Sequence, residues 1–362
     1  MRRIFPIVYF LFLPFATFSQ VAEKDYTAYH RAINKAEEEI FIRNDSIAGL
    51  KIFRKTFEEY DFVYVDDCIE AFQLALYFKR DDDAIIFIKK ALDNGFELKL
   101  LDELIEPGSY TKYGEFKKVT IHHEFIRRHG AEMEAYSASC YNKYLKRIDK
   151  DLFYALLRRH VREQLYKNYH AELGFSMKDQ LAMYYNICDD NLRFIDSLAA
   201  KNIFCGERNL GLYTDKLCES LHLPYKTIQR LLESILQYYG LPRNTYVPIV
   251  TELDDYYGLG PVYNMLFHNP KSYITMAKYK DAAIKKGYMH PREYASLKYN
   301  VLGHNDDLYL QPIMVNEVTD TKNLNERRSA LLLTSYEIDL KKHQFEQSHH
   351  LQLLFGFRNG TR

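Results

Sequence analysis

Apolar residues recur at every third or fourth position along most of the chain, which is the spacing of an amphipathic helix. No proline occurs within residues 15–106 or 108–223, so nothing there interrupts a helix in the way that proline does. Asn44 or Asp45 can cap a helix that starts at residue 46, and the three aspartates at 81–83 suit the start of another. Four helices are predicted in this part, at 22–43, 46–60, 65–78 and 84–92. They would form two helical hairpins.

The helical pattern weakens after residue 95 and then returns. Glycines and a proline punctuate residues 96–130, which predicts a connector with a short helix near 98–105. Residues 131–350 predict a larger helical domain, with one stretch, 308–315, where a strand would fit. Its helices are predicted at 131–172, 177–199, 225–239, 261–267, 272–286, 292–301 and 326–345. The predicted fold class is therefore all-α, or nearly so.

The first nineteen residues have the features of a secretory signal peptide. Arg2 and Arg3 form a positive start, an apolar run covers residues 4–15, and Thr17 and Ser19 are small residues suited to a cleavage site. The alternative is an uncleaved N-terminal anchor. We expect an exported protein, periplasmic or extracellular, with no membrane-spanning segment once the leader is removed.

Composition narrows the class of protein further. Of the residues, 47% are hydrophobic and 27% are charged, which is the composition of a globular protein. A length of 362 residues corresponds to about two domains. The 49 basic side chains balance 49 acidic ones, so a nucleic-acid partner is not expected. Five cysteines are few for an exported chain of this size. Pairing among Cys188, Cys205 and Cys218 is conceivable, and the alternative is that the cysteines are small buried hydrophobic residues.

The familiar motifs of catalytic and nucleotide-binding sites are absent from the chain. It has no Walker loop, no dinucleotide-binding glycine pattern, no GxSxG elbow and no HExxH. Histidines cluster at 122–129 and 343–350 without the spacing that places two imidazoles on one helix face, so we expect neither a metal nor a cofactor. Tyrosine doublets at 184–185, 238–239 and 256–257 could stack sugars, although core packing is the simpler explanation.

A dispersed set of polar residues in the second half is more suggestive. A carboxylate and an imidazole could form an acid–base pair, and two guanidinium groups could clamp an anion. The alternative is that the carboxylate favours a first helical turn, the histidine ends a helix and the arginines are surface charges. The residues in question are Asp179, Gln180, His268, Tyr309, Arg327 and Arg328.

The order of these residues over 145–340 resembles a widespread bacterial family of helical domains of unknown function. That family shows an Asp-Gln pair, a histidine that closes an apolar segment, a Tyr-Ala-x-Leu helix and a final Arg-Arg pair. The resemblance implies catalytic candidates and, at Gln180 and Tyr309, ligand-binding candidates. Ala182 and Met183 stand where the family has an arginine, and Leu310-Gln311 replaces Gly-Thr, so this member could lack activity. The catalytic candidates are Asp179, His268, Arg327 and Arg328.

The helix predicted at 84–92 carries a second resemblance. Ala84 and Ala91 lie seven residues apart and Asn94-Gly95 follows, which resembles the second helix of a tetratricopeptide unit. The resemblance covers residues 22–95 and implies a surface for a protein or peptide partner, with a plain helical bundle as the alternative. We therefore predict an exported bacterial interaction or scaffold module. The alternative prediction is a hydrolase or small-ligand-binding domain in the C-terminal half.

Overall fold

The predicted all-α class is confirmed. In the residues that the computed structural model describes, the chain forms fifteen α-helices and one 3-10 helix, and no β-strand. Among these helices, none combines the length and the apolar character needed to cross a membrane. The predicted leader, helix 225–239 and strand 308–315 lie outside the described residues. The described residues are 24–103, 120–168, 176–221, 260–302, 321–351 and 353.

Two helical hairpins form the N-terminal part, as the apolar spacing predicts. Asp25 and Asp45 each cap a helix by accepting a hydrogen bond from a backbone N–H group in its first turn. The third helix lies at the centre, with ten of its thirteen residues buried. Ala84 and Ala91 are fully buried, so the fourth helix packs closely on the third. The four helices are α1 (Tyr26–Phe41), α2 (Ser46–Glu59), α3 (Val65–Tyr77) and α4 (Asp81–Asp93).

The remaining helices follow a 3-10 helix at Leu98–Glu103. α7 and α10 match their predicted boundaries to within a residue. The helices are α5 (Thr120–Leu145), α6 (Lys150–Asn168), α7 (Met177–Ala199), α8 (Glu207–Leu210), α9 (Asp215–Ser220), α10 (Gly260–Phe267), α11 (Ser272–Ala277), α12 (Lys280–Lys285), α13 (Pro291–Leu302), α14 (Thr321–Ala330) and α15 (Tyr336–His349).

Three of the predicted long helices are broken by turns. The helix predicted at 131–172 divides at 146–149, because Asp149 accepts a hydrogen bond from the Leu152 backbone N–H at 3.0 Å and so begins α6. The helices predicted at 272–286 and 326–345 are also divided, by turns at 278–279 and 331–335. Gly130 does not end the predicted connector, since it lies inside α5. Apolar spacing continues across a short turn and therefore does not reveal it.

Two apolar cores fill the described part of the molecule. The first surrounds α1–α4 and includes residues of α5, and Ile338 of α15 together with Leu351 and Leu353 completes it. The second lies among α6, α7 and α9–α13. The last described residues thus pack on the first four helices, which burial of apolar area favours.

All five cysteines are free thiols. The pairing considered for Cys188, Cys205 and Cys218 is therefore not formed in the structure. Burial raises the pKa of Cys188 and that of Cys205 to about 12, so both stay protonated near neutral pH.

Candidate functional site

Polar side chains line the junction of α6, α7 and the turn after α10. Spacings of three and four residues place the polar residues of each helix on one face. His160, Glu163, Cys188 and Asn191 are all buried, although helix interiors are ordinarily apolar. We call this set the polar seam; it consists of His160, Glu163 and Lys167 of α6, Tyr184, Cys188 and Asn191 of α7, and His268.

A buried carboxylate holds the imidazole of His268. Nδ1 of His268 lies 2.5 Å from Oε1 of Glu163, whose side chain is fully buried, while that of His268 is 15% exposed. The other oxygen of Glu163 accepts a hydrogen bond from Nδ2 of Asn191 at 2.6 Å. Because a carboxylate only accepts hydrogen bonds, Nδ1 of His268 carries the proton and Nε2 is left as an acceptor. The imidazole is therefore fixed in one tautomer and orientation.

Lys167 lies on the other side of the imidazole. Its Nζ is 3.2 Å from Nε2 of His268, and its side chain extends from the exposed side of α6. A carboxylate, an imidazole and an ammonium group thus form a row that runs from the interior to the surface. An imidazole with one nitrogen held by a carboxylate and the other presented as a base is suited to general acid–base chemistry.

Two buried polar atoms of the polar seam have no hydrogen-bond partner among the described residues. They are Nδ1 of His160 and Oδ1 of Asn191. Burial is the main cause that lowers the pKa of His160 to about 3, with a smaller contribution from the neighbouring His268 and Lys167, so the imidazole of His160 is neutral near pH 7. An unpaired buried polar atom costs about 1–3 kcal/mol, which a hydrogen-bonding ligand or water would offset.

Contacts between the helices fix the turn that carries His268. Asn269 donates a hydrogen bond to Oδ1 of Asp189 at 2.9 Å, and Lys271 binds the second oxygen of Asp189 at 2.8 Å. Arg159 of α6 binds Asp190 of α7 at 2.8 Å. These contacts place the histidine between the two helices, and they show why a residue after α10 meets residues about a hundred positions earlier.

The structure distributes the predicted site residues over different surroundings. Asp179 is exposed in the first turn of α7 and interacts with the capping residue Ser176. Arg328 is 1% exposed and bonded to Asp339 and to the backbone of Thr334, so the surface-charge explanation is wrong for this residue. The described contacts of His268, Asp179 and Arg328 therefore do not bring the three side chains together.

The remaining predicted residues are Arg327, Gln180 and Tyr309. Arg327 lies beside Arg328 in the last turn of α14, where the prediction had the pair near the start of a helix. Gln180 belongs to α7, and its side chain is outside the described residues, as is Tyr309 altogether.

The sequence pattern singles out His268 but not the residues that contact it. Glu163 and His160 fall among the apolar residues of α6, where Leu156, Leu157 and Val161 are buried. A charged residue on the buried face of a predicted helix is a detectable signal, because such a residue needs a partner. The identity of the partner could not be found in this way, since it comes from a distant part of the chain.

Comparison of the chain with protein-family models, with curated proteins and with solved structures finds no match. The resemblances to a tetratricopeptide unit and to a bacterial helical family accordingly stay predictions.

Proposed function

We propose that the polar seam is a small-ligand site in which His268 transfers a proton, and that the reaction class is hydrolysis. The observation that carries this proposal is the hydrogen bond from Nδ1 of His268 to the buried Glu163, which leaves Nε2 facing the exposed Lys167. The unpaired atoms of His160 and Asn191 provide further polar groups for a ligand.

The proposed chemistry follows from the order of the three groups. Nε2 of His268 takes a proton from a water molecule as the water oxygen bonds to the electrophilic centre of the substrate. Glu163 stabilises the imidazolium that forms, and the same proton then passes to the leaving group. Lys167 stabilises the negative charge that develops on the substrate oxygen, for which its long exposed side chain has the necessary reach.

Charge favours an anionic substrate. Lys167 is the charged group at the exposed end of the row, while Glu163 is buried and already bonded to both His268 and Asn191. Asp179, Arg327 and Arg328 have no part in the proposed reaction.

The experiment uses the full chain with p-nitrophenyl acetate and p-nitrophenyl phosphate as probes. His268→Gln should lower kcat at least about 100-fold, and Glu163→Gln should shift the pH profile of the remaining activity. The matched control is His123→Gln, which changes an exposed histidine of α5. Equal activity of all variants, or absence of activity together with unchanged His268 NMR signals on addition of acetate or inorganic phosphate, would overturn the proposal.

The predicted scaffold function, the protein or peptide partner and the export of the chain stay predictions. In the structure, α15 covers part of the surface of the N-terminal hairpins, because Lys342 binds Glu37 of α1 and Glu70 of α3. A partner of the helical hairpins would accordingly have to use their outer surfaces.

A further inference from the structure

Arginines of α6 and α7 lie together at the surface of the molecule. Arg159 and Arg162 are three residues apart on α6, and Arg158 precedes Arg162 by four, so these three lie on one side of the helix. Arg193 belongs to α7, which packs against α6. We call Arg158, Arg159, Arg162 and Arg193 the arginine cluster.

One carboxylate, that of Asp190, binds three members of the arginine cluster. Its Oδ2 lies 2.8 Å from Nη1 of Arg159 and 3.6 Å from Nη1 of Arg162, and its Oδ1 lies 3.8 Å from Nη2 of Arg193. Because the three guanidinium groups meet one carboxylate, they lie within about a Debye length of one another, about 10 Å at 0.1 M salt, and their repulsion is only partly screened. Three positive charges thus share one negative charge.

The neighbouring carboxylates of α7 are already paired with lysines. Asp189, which is close enough to Arg193 to be influenced by its charge, lies 2.8 Å from Nζ of Lys271. Asp196 lies 2.9 Å from Nζ of Lys278. Within the described ranges, Asp190 is therefore the one carboxylate that forms ion pairs with the arginine cluster, which keeps an excess of positive charge.

Aromatic rings hold part of the arginine cluster in place. The guanidinium of Arg159 lies over Phe194, 4.1 Å from the ring centre, and that of Arg158 lies over Tyr154 at 5.8 Å. Stacking on a ring keeps the N–H groups at the edge of a guanidinium available to oxygen atoms, and it reduces the freedom that the side chain loses on binding. Arg162 and Arg193 are 44% and 75% exposed, so a partner can reach them.

The charges around the arginine cluster favour a short acidic segment over a long polyanion. A carboxylate is the group that the cluster already binds, in the form of Asp190. Asp189, Asp190 and Asp196 lie among the cations along α7 and would repel the successive phosphates of a nucleic acid. The chain as a whole has 49 basic and 49 acidic side chains, so it exerts no general attraction on a polyanion.

We propose that the arginine cluster docks a partner protein through a short acidic segment, whose neighbouring Asp or Glu side chains bind Arg162 and Arg193. A guanidinium binds a carboxylate through two parallel hydrogen bonds, which fixes the direction of approach as well as adding attraction. Two carboxylates of the partner would balance the excess positive charge on Arg159, Arg162 and Arg193. This docking surface differs from the polar seam, because His160 and Glu163 are buried whereas Arg162 is exposed on the same helix.

The test is the fluorescence anisotropy of a labelled oligoglutamate peptide titrated with the full chain. Oligoglutamine serves as the uncharged probe and oligothymidylate as the nucleic-acid probe. Oligoglutamate should bind, added NaCl should weaken its binding, and oligoglutamine should bind at least about 10-fold more weakly. No binding of oligoglutamate would overturn the proposal, and so would tighter binding of oligothymidylate.

Two double variants of equal net charge separate a local surface from a general effect of charge. Arg162→Gln with Arg193→Gln should weaken the binding of oligoglutamate at least about 10-fold. Arg31→Gln with Arg127→Gln changes exposed arginines of α1 and α5 and should alter the affinity less than about 2-fold. All four positions are exposed, so the variants should fold, which circular dichroism establishes. Equal weakening by both double variants would contradict a specific docking surface.

Asp190→Asn should change the affinity in the opposite direction. The variant removes the repulsion between Asp190 and the incoming carboxylates, so oligoglutamate should bind at least about 2-fold more tightly. If the arginines only joined α6 to α7 through Asp190, the variant would leave the affinity unchanged or weaken it, and either result would contradict the proposal. His268→Gln should leave the affinity unchanged, which distinguishes this surface from the proposed site in the polar seam.

Discussion

Two polar systems are buried in this protein, and they differ in how completely their charges are paired. Around α15, Asp339 binds Arg292 and Arg328, and Lys342 lies 3.0 Å from Glu37 and 2.7 Å from Glu70. Every charged side chain in this group, which we call the α15 network, has a partner of opposite sign. One oxygen of each glutamate nevertheless lacks a hydrogen bond.

The polar seam shows the opposite balance. His268 is partly exposed, His160 and Asn191 each have an atom without a partner, and Lys167 reaches the surface. A buried charge that loses its partner is strongly destabilising, whereas a partly exposed group can exchange its partner for water. The full pairing of the α15 network, which joins α1 and α3 to the C-terminal helices, is typical of a structural element, whereas the polar seam is where we propose that a ligand binds.

The largest expected effect is that of Asp339→Ala. Although burial opposes its ionisation, Arg292 and Arg328 hold the pKa of Asp339 well below its usual range. The variant leaves these two cations without their carboxylate, which should lower the free energy of unfolding by about 3–5 kcal/mol. Urea denaturation measures this loss. The control Asp281→Ala, whose side chain is 87% exposed beside Lys280, should cost less than about 0.5 kcal/mol. A similar small loss for both variants would refute the structural role.

Lys342→Met should produce a loss that depends on pH. Burial raises the pKa of Glu70 well above its usual range even with Lys342 beside it, and removal of that ammonium raises it further. A raised pKa means that the folded protein binds more protons than the unfolded chain, so stability falls as pH rises. The loss in free energy of unfolding should therefore be larger at pH 8 than at pH 5. An equal loss at both pH values would contradict the raised pKa of Glu70.

The carboxyl groups of Asp66 and Glu293 should give the wild-type protein a related pH dependence of about 1 kcal/mol or more. Burial raises the pKa of Asp66 to about 7 and that of Glu293 to about 8, from ordinary values of 3.8 and 4.5. The stabilisation that these two carboxyl groups contribute is fully present below their ordinary pKa values. It is lost as the pH rises through their raised pKa values of about 7 and about 8. Unfolding in urea at pH 5 and pH 8.5 measures the difference. Asp66→Asn should reduce it, and an unchanged slope would contradict the burial of this carboxyl.

The smallest expected effect on stability lies in the polar seam. A double-mutant cycle with Glu163→Gln and His268→Gln should give a coupling energy of about 1 kcal/mol, because His268 can replace its partner with water. His268→Gln alone should cost far less than Asp339→Ala. A loss of about 3–5 kcal/mol for His268→Gln would make the polar seam a structural element and remove the contrast between the two systems.

The sequence by itself determined the local structure of the described part. Apolar spacing, proline-free stretches and capping aspartates predict the helices of both N-terminal hairpins, and α7 begins and ends where predicted. These signals are local, since a helix depends on residues within a few turns of one another. The turns that divide the long predicted helices were missed, because the apolar spacing continues across them.

Only the tertiary structure decided the roles of the polar residues. His268 pairs with Glu163, 105 positions away, and Lys342 pairs with Glu70, 272 positions away. Arginine usually lies at the protein surface. Arg328 is buried because Asp339, across the turn between α14 and α15, neutralises its charge. A charge can be buried only where a partner meets it. Whether two such residues come into contact depends on how the helices pack, and no local pattern of residues encodes that packing.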